Sequence, residues 1–321
     1  MAESDTSRAD VFDPSVIEEE TNQFNAGLEK ILDSMPPIYT LKPQDIRDNQ
    51  ESGEGFLGEI VLLDEAEERV VPGPVGDIPV RVFIPDEVKA VYLHIHGGGW
   101  MIGRAHHQDQ GLLDLAKEAK TAVVSVDYRL APENPYPAAP DDCEAAAEWL
   151  IKNAKSEFGA DLLTIGGESA GAHLAVVTLL RMRDRHGYTE FTAANLTYGC
   201  YDLSLTPSVR RWGERNLVLT TKLIEWFADN YVPEDKRTEP DVSPLYADLR
   251  DMPPALFTVG SLDPLLDDSL FMHKRWLAAG NKAELSVYPG GIHAFNAFPI
   301  KIGAEANARI RDYMAKAVEA K

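Results

Sequence analysis

Short β-rich runs alternate with helical stretches over most of the chain. The predicted strands are AVYLHIH, TAVVSVDY, LLTIGG, ALFTVG and AELSVY, and helices are predicted near 110–119, 141–154, 170–183, 264–279 and 303–318. Such alternation is typical of an α/β fold with a mostly parallel central sheet, in which ligands bind at the carboxyl ends of the strands. Ahead of these elements, EIVLLD and IPVRVFIP predict an antiparallel start to the sheet from about Gly58.

Two segments depart from this alternation. Residues 1–50 predict an amphipathic helix that begins at Asp13–Pro14 and ends before Pro36–Pro37. Residues 200–247 form a long connection that contains TKLIEWFADNY, and connections of this length usually hold structure of their own. We expect the two segments to form a helical cap over a core of 51–199 and 248–321. Phe227 is expected in the core of this cap, whereas Trp212 and Trp226 are assigned either to that core or to a pocket.

The charge and cysteine content narrow the possible partners. With 31 basic and 52 acidic residues the formal charge is −21, which would repel nucleic acid and anionic membranes, so neither is expected as a partner. Cys143 and Cys200 provide neither a disulfide framework nor a metal-ligand pattern.

The acidic N-terminus lacks the features of a signal peptide, so a cytoplasmic location is predicted. The oligomeric state stays open, and a homodimer is compatible with the sequence.

The segment GGESAG, residues 166–171, joins a predicted strand to a predicted helix and contains the pattern G-x-S-x-G. In this pattern the glycines remove side chains that would collide at a sharp strand-to-helix turn, and the serine is held at the tip with its hydroxyl exposed. Ser169 is therefore a candidate nucleophile. The pattern also occurs by chance, and the alternative is a serine N-cap flanked by glycines.

A serine nucleophile needs a histidine base on another loop. Downstream of Ser169, His186 lies in the charged end of the following helix and His273 lies inside a later helix, where a surface or packing role is expected. His293 instead lies in the glycine loop that follows AELSVY, at the carboxyl edge of the sheet. His293 is the predicted base.

The acid that orients the base is expected between the serine and the histidine in the chain. Asp263 directly follows ALFTVG, whereas Asp267 and Asp268 come a turn later and are expected on the flank of a helix. The alternative role for Asp263 is an N-cap of that helix. Its strand position and chain order favour the catalytic role.

Three consecutive glycines, Gly97, Gly98 and Gly99, follow the predicted strand AVYLHIH. Acyl transfer places negative charge on the former carbonyl oxygen, and backbone N–H donors aimed at it stabilise the transition state. The glycine N–H groups can approach such an oxyanion with no Cβ in the way, and Ala170 supplies a further N–H. The run is predicted to form an oxyanion hole.

Histidines at 94, 96, 106 and 107 raise the question of a metal site. We find no carboxylate or cysteine that completes a ligand set, so structural roles are expected and neither a metal nor another cofactor is predicted. Tyr128, Arg129 and Glu133 lie in a proline-rich loop that is expected to support the site without reacting.

Several motifs together resemble the hormone-sensitive-lipase-like esterases, also called bacterial family IV of the α/β-hydrolases. They are HGGGW, DYRLAPENPYPA, GESAGAHLA, DPLLDD and IHAF, and the resemblance runs from about residue 55 to the C-terminus. It implies an α/β-hydrolase fold with a helical cap, Ser169 as nucleophile, His293 as base and Asp263 as orienting acid. It further implies that the oxyanion donors are Gly97, Gly98 and Ala170, with His96 and Gly99 giving the loop its shape. Glu168 before the serine and HAF in place of HGF depart from the usual family pattern.

The resemblance implies a serine carboxylesterase that acts on small soluble esters with short to medium acyl chains. An amidase or a lactonase would use the same groups and stays open. A small-molecule-binding protein on this scaffold is the alternative outside catalysis. Plant gibberellin receptors resemble the family but lack the catalytic histidine, and the presence of His293 disfavours that alternative.

Overall fold

An eight-stranded sheet forms the centre of the computed structural model, which describes residues 9–55 and 58–320. The strands are β1 Glu67–Pro72, β2 Asp77–Phe83, β3 Ala90–Ile95, β4 Thr121–Val126, β5 Leu162–Glu168, β6 Ala193–Thr197, β7 Ala255–Leu262 and β8 Ala283–Ile292. Their spatial order is β1-β2-β4-β3-β5-β6-β7-β8. β2 pairs antiparallel with β1 and β4, and all the other neighbours are parallel. The predicted mostly parallel α/β fold with an antiparallel start is confirmed.

Helices cover the sheet and its edges. In the described part of the chain they are α1 Glu19–Ser34, α2 Pro43–Glu51, α3 Asp109–Ala119, α4 Ala138–Phe158, α5 Ala170–His186, α6 Pro207–Trp212, α7 Thr221–Tyr231, α8 Leu266–Ala278 and α9 Lys301–Glu319. The five helices predicted between the strands all occur, with ends that differ by a few residues. No described helix is long and apolar enough to cross a membrane.

The sheet is buried between two layers of helices. Successive side chains of β3 point to opposite faces, so that Leu93 packs in the cluster that contains α4, α5 and α8, whereas Tyr92 packs in the cluster that contains α3 and α9. All six residues of β3 are buried, as expected for a central parallel strand. β3 and β5 are neighbours in the sheet, so the loops that leave their carboxyl ends lie side by side.

Two predictions at the N-terminal side are wrong. Residues 59–64, EIVLLD, form no strand, and Val61 and Leu62 are 62% and 63% exposed. The hairpin instead uses β1, because the turn between Pro72 and Asp77 pairs the residues just before it with β2. Asp13–Pro14 does not begin the long helix either, since Asp13 accepts a hydrogen bond from Ser15 N and caps only a 3₁₀ turn.

The N-terminal segment and the connection after β6 lie against each other and against the core. Asn25 of α1 donates to the carbonyl of Gly290 at 2.8 Å, which fixes α1 to the end of β8. Lys222 of α7 lies 4.5 Å from the ring centroid of Tyr39, and Arg215 pairs with Glu29 at 3.2 Å. The two segments that interrupt the α/β alternation therefore contact one another in the folded chain.

Candidate active site

Ser169 lies at a sharp turn between β5 and α5, with φ 55° and ψ −118°. This backbone conformation is costly for a residue with a side chain and is typical of functional sites. The turn packs directly against β3. A Cβ on Gly167 or on Gly171 would overlap the carbonyl oxygen of Ile95 in that strand. The sequence reason for the two glycines is thus the contact with the neighbouring strand.

The structure brings together the three side chains that the sequence predicts as nucleophile, base and acid. The Nε2 atom of His293 lies 2.9 Å from Ser169 Oγ, and its Nδ1 atom lies 2.9 Å from Asp263 Oδ2. Asp263 Oδ1 also accepts from Leu265 N at 2.8 Å, and the Asp263 side chain is fully buried. Tyr198 packs on the His293 ring with the centroids 4.7 Å apart. The imidazole is therefore held from two sides, with one nitrogen facing the serine.

Asp267 and Asp268 lie away from this hydrogen-bonded chain, as expected, but Asp268 does not lie on an exposed helix flank. It is fully buried and accepts from Tyr201 N, Asp202 N and Thr206 Oγ1 at 2.7–2.9 Å. The sequence pattern does not predict this burial, because the partners of Asp268 come from a connection more than sixty residues upstream. Asp268 anchors the start of that connection.

The glycine run after β3 folds over the nucleophile. A Cβ on Gly97 would lie 2.8 Å from the carbonyl oxygen of Glu168 and 3.5 Å from Ser169 Cβ, so the loop backbone is next to the serine. Gly98 has φ 115°, and a Cβ there would overlap the carbonyl oxygen of Ile102. These two positions require glycine because of a close approach and a left-handed backbone, respectively.

His96 stabilises the glycine loop through a hydrogen bond and is itself packed against Tyr128. Its Nδ1–H donates to the carbonyl of Gly97 at 2.7 Å, and its ring stacks on Tyr128 with centroids 4.2 Å apart. Tyr128 Oη in turn donates to the carbonyl of His96 at 3.0 Å. Burial lowers the pKa of His96 to about 3, so the ring is neutral and acts as a hydrogen-bond donor. The hydrogen bond to the Gly97 carbonyl is the contact through which His96 can shape the glycine loop.

Trp100 connects the glycine loop to the helix behind the serine. Its Nε1–H donates to Nδ1 of His173 at 3.1 Å, and Nε2 of His173 donates to the carbonyl of Val242 at 2.8 Å. The Trp100 ring stacks on Tyr231 of α7 with centroids 4.6 Å apart. Burial lowers the pKa of His173 to about 4, which keeps it neutral and able to accept from Trp100. Sequence reasoning missed His173, although it lies four residues after Ser169.

Arg47 is a second residue that the sequence reasoning missed. From α2, its guanidinium donates to the carbonyls of Met101 and Ala131, both at 2.8 Å, and pairs with Glu133 at 2.8 Å. It therefore ties the glycine loop to the proline-rich loop that was expected to support the site. The sequence around Arg47 offers no pattern that marks it as a residue of the site.

The sequence analysis finds no carboxylate that completes a ligand set with the four histidines, but the structure places a carboxylate beside three of them, His94, His106 and His107. Glu168 Oε2 lies 3.0 Å from Nε2 of His94 and 3.1 Å from Nε2 of Gln108. Glu51 lies within 3.0 Å of both His106 and His107. Both carboxylates are distant in sequence from their partners and meet them only on folding.

A cavity of about 590 Å³ opens onto Ser169 and His293. Its walls include the three glycines of the loop and the apolar side chains of Leu219, Leu223, Ile224 and Phe227. Phe227 is buried and covers Gly99, where a Cβ would lie 2.5 Å from its ring, so this residue belongs both to the core and to the cavity wall. Trp212 and Trp226 are not among the residues that line the cavity. The cavity is of the size that small-molecule sites have.

Comparison with known proteins gives one family. A family model described as the α/β-hydrolase fold matches residues 92–297. The chain is 35% identical over 247 residues to the carboxylic ester hydrolase LipN of Mycobacterium tuberculosis, covering 74% of this chain and 66% of that protein. It is 34% identical over 234 residues to an acetyl esterase of Salmonella enteritidis, covering 70% of this chain and 71% of that protein.

Solved structures agree with this result. A hyperthermophilic esterase from the archaeon Pyrobaculum calidifontis superposes with a TM-score of 0.85 at 30% identity, covering 92% of this chain and 98% of that one. A hormone-sensitive lipase from a metagenome library superposes with a TM-score of 0.82 at 27% identity, covering 93% and 98%. This chain therefore belongs to the α/β-hydrolases and, within them, to the carboxylic ester hydrolases that resemble hormone-sensitive lipase.

Proposed function

We propose that the protein hydrolyses small carboxylic esters through an acyl-enzyme formed on Ser169. The observation that carries the proposal is the continuous hydrogen-bonded chain from Ser169 Oγ through His293 to Asp263, with 2.9 Å at each step. A neutral imidazole with Nδ1–H donated to a buried carboxylate has its Nε2 lone pair directed at the serine hydroxyl. That is the arrangement a serine needs to become a nucleophile at neutral pH.

The reaction follows from this geometry in two halves. His293 takes the proton of Ser169 as Oγ attacks the ester carbonyl, and then gives it to the leaving alcohol. In the second half a water takes the place of the alcohol and attacks the acyl carbonyl while His293 accepts its proton. The bond from the acyl carbon to Ser169 Oγ then breaks, His293 returns the proton to Oγ, and the acid is released. Asp263 holds the imidazole in the required tautomer and stabilises the imidazolium that forms in each half.

The oxyanion of each tetrahedral intermediate is assigned to the backbone N–H groups of Gly97, Gly98 and Ala170. The assignment is supported by the proximity of Gly97 to Ser169 and by the position of Ala170 at the start of α5, where helix N–H groups lack partners within the helix. His96 and Gly99 shape the loop. Donors aimed at the developing charge typically contribute on the order of 3–4 kcal/mol each.

We assign residues 1–50 and 200–247 to a cap, and 51–199 with 248–321 to the catalytic core. Within these ranges, residues 1–8, 56–57 and 321 lie outside the part of the chain that the structure describes. Support comes from Leu223, Ile224 and Phe227 of α7, which line the same cavity as Ser169 and give it an apolar wall. Such a wall suits the acyl or alcohol part of an uncharged ester. Acetyl esterases among the relatives favour a short acyl group, so we place the optimum at short to medium chains.

Two other functions use the same groups or the same cavity. An amidase or lactonase would need the same nucleophile, base and oxyanion hole, and a binding protein would need only the cavity. The unbroken Ser169–His293–Asp263 chain favours catalysis over binding, because a binding site has no use for a buried carboxylate directed at an imidazole. The identity of the hydrolysed bond is decided by assay.

The test is a series of p-nitrophenyl esters of increasing acyl length, with a matched anilide and a γ-lactone, assayed with the wild type and with Ser169→Ala. The proposal predicts the highest kcat/KM at short to medium acyl chains, weak anilide and lactone turnover, and loss of activity in the variant. A folded wild type that cleaves only the anilide or only the lactone would replace the ester assignment. A folded wild type that cleaves none of them would favour the binding protein.

A further inference from the structure

A cluster of two histidines and a carboxylate lies at the rim of the cavity, outside the chain of groups that contains Ser169. His106 and His107 lie in the 3₁₀ turn Ala105–Gln108, and Glu51 is the last residue of α2. Nε2 of His106 is 3.0 Å from one carboxylate oxygen of Glu51, and Nε2 of His107 is 2.9 Å from the other. One ligand atom from each residue lies within 4.8 Å of the other two.

Both imidazoles converge on the same carboxylate. The side chains of His106 and His107 are 25% and 15% exposed, and that of Glu51 is 45% exposed, so the cluster is held against the protein surface and water can reach it. The cluster thus presents two imidazoles and a carboxylate to one point.

The surrounding charge also favours a cation. Arg104, two residues before His106 in the chain, is paired with Asp127 at 3.3 Å. The carboxylates of Glu51 and Asp127 and the guanidinium of Arg104 together carry a formal charge of −1. A divalent ion at the cluster therefore does not meet an uncompensated positive charge.

We propose that Glu51, His106 and His107 bind one divalent transition-metal ion, with Zn²⁺ as the best match. Two imidazole nitrogens and one carboxylate oxygen are a ligand set that zinc accepts, with water at the fourth position, whereas magnesium and calcium prefer oxygen alone. Zinc–ligand bonds of about 2.0–2.1 Å in a tetrahedron place neighbouring ligand atoms about 3.3 Å apart. The two hydrogen-bonded distances, 3.0 and 2.9 Å to different oxygens of Glu51, have to widen by a few tenths of an ångström. The ligand atoms all lie within 4.8 Å of one another, so any wider separation among them has to close towards the same value. On binding, each ring moves its proton from Nε2 to Nδ1.

The consequence is a link between the N-terminal segment and the core at the entrance of the cavity. His107 lines the cavity, and so does Gln50, which precedes the ligand Glu51 and accepts from Gly103 N at 3.4 Å. A metal at this place joins the end of α2 to the turn that follows the glycine loop. Its role is to fix this junction, separate from the chemistry at Ser169.

The test is a Co²⁺ titration of the metal-free full chain, followed by displacement with Zn²⁺. Co²⁺ bound to nitrogen and oxygen ligands gives visible d–d absorption, so one equivalent of bound ion is expected to appear as a saturable band that Zn²⁺ removes. Glu51→Gln and His106→Gln are each expected to weaken Co²⁺ binding at least about tenfold, since changes even outside the ligand set commonly cost that much. Melting temperature should rise with Zn²⁺ in the wild type and not in these variants.

The matched control is His186→Gln. His186 also pairs with a glutamate, Glu144, at 2.8 Å, but as a single histidine, so its loss should leave Co²⁺ binding unchanged. Absence of a Co²⁺ band in the wild type, or an equal band in Glu51→Gln and His106→Gln, would overturn the proposal. Two independent ligand variants keep the test valid if one of them fails to fold.

Discussion

Replacement of Gly98 by alanine tests how the glycine loop contributes to catalysis. Gly98 has φ 115°, and a Cβ there would overlap the carbonyl oxygen of Ile102. The Gly98 carbonyl accepts from the N–H groups of Met101 and Ile102 at 3.1 and 2.9 Å, so the loop cannot relieve the overlap without opening this turn. The N–H of Gly98 would then leave the position that we assign to an oxyanion donor.

The size of the effect follows from the loss of one donor. A loss on the order of 3–4 kcal/mol lowers kcat about 10²- to 10³-fold, with a much smaller change in KM because the donor acts mainly in the transition state. The assay is steady-state hydrolysis of a short-chain p-nitrophenyl ester, with circular dichroism to check folding. Gly27→Ala, in the exposed part of α1 where a Cβ meets nothing within 4 Å, is the control and should keep full activity. A folded Gly98→Ala protein with wild-type kcat would refute the assignment.

Three further substitutions test the groups around the site. Arg47→Ala should lower kcat about tenfold with the fold retained, because the glycine loop loses its hydrogen bond to α2. The control is Arg215→Ala, which removes an exposed ion pair away from that loop and should not lower kcat. Equal rates in both variants would contradict the role of Arg47. Phe227→Leu should raise kcat/KM for longer acyl chains relative to acetate, because the ring covers Gly99, whereas the exposed Phe271→Leu should leave that ratio unchanged. His173 has a pKa of about 4 when folded against about 6.5 unfolded, so the unfolded chain takes up the proton first and stability is lost as pH falls below about 6.5. At pH 5 this lowers the free energy of unfolding by about 2 kcal/mol. Denaturant titrations at pH 7 and pH 5 should therefore show a smaller fall in that free energy for His173→Gln than for the wild type. An equal fall in both proteins would contradict the buried neutral state of His173.

The parts of the fold that the sequence predicts well are those set by local pattern. Short apolar runs and residues at helical spacing predict the strands and helices of the core. Parallel strands bring their carboxyl ends to one edge of the sheet, so the order Ser169, Asp263, His293 predicts which loops meet there. Glycine at positions 97 and 98 is also predictable from local pattern. At each position a side chain would overlap the backbone of a neighbouring residue, so only glycine fits.

The parts that the sequence hides depend on contacts between distant segments. Arg47 and Glu51 lie on a short polar helix. The residue pattern of this helix does not predict that they contact the loops at 101, 106 and 131. Asp268 looks like a helix-flank residue until the connection after β6 folds over it. EIVLLD has the composition of a strand, yet β2 pairs with the later segment joined to it by a tight turn.

The central claim is that Ser169 is acylated during turnover. The most direct measurement is mass spectrometry of the protein after reaction with a p-nitrophenyl phosphonate ester, which transfers its phosphonyl group to an activated serine and releases nitrophenol. The account predicts one adduct per chain, located by peptide mapping at Ser169 and absent in Ser169→Ala, with ester hydrolysis lost in step with labelling. A labelled serine elsewhere, or full hydrolytic activity in Ser169→Ala, would contradict it.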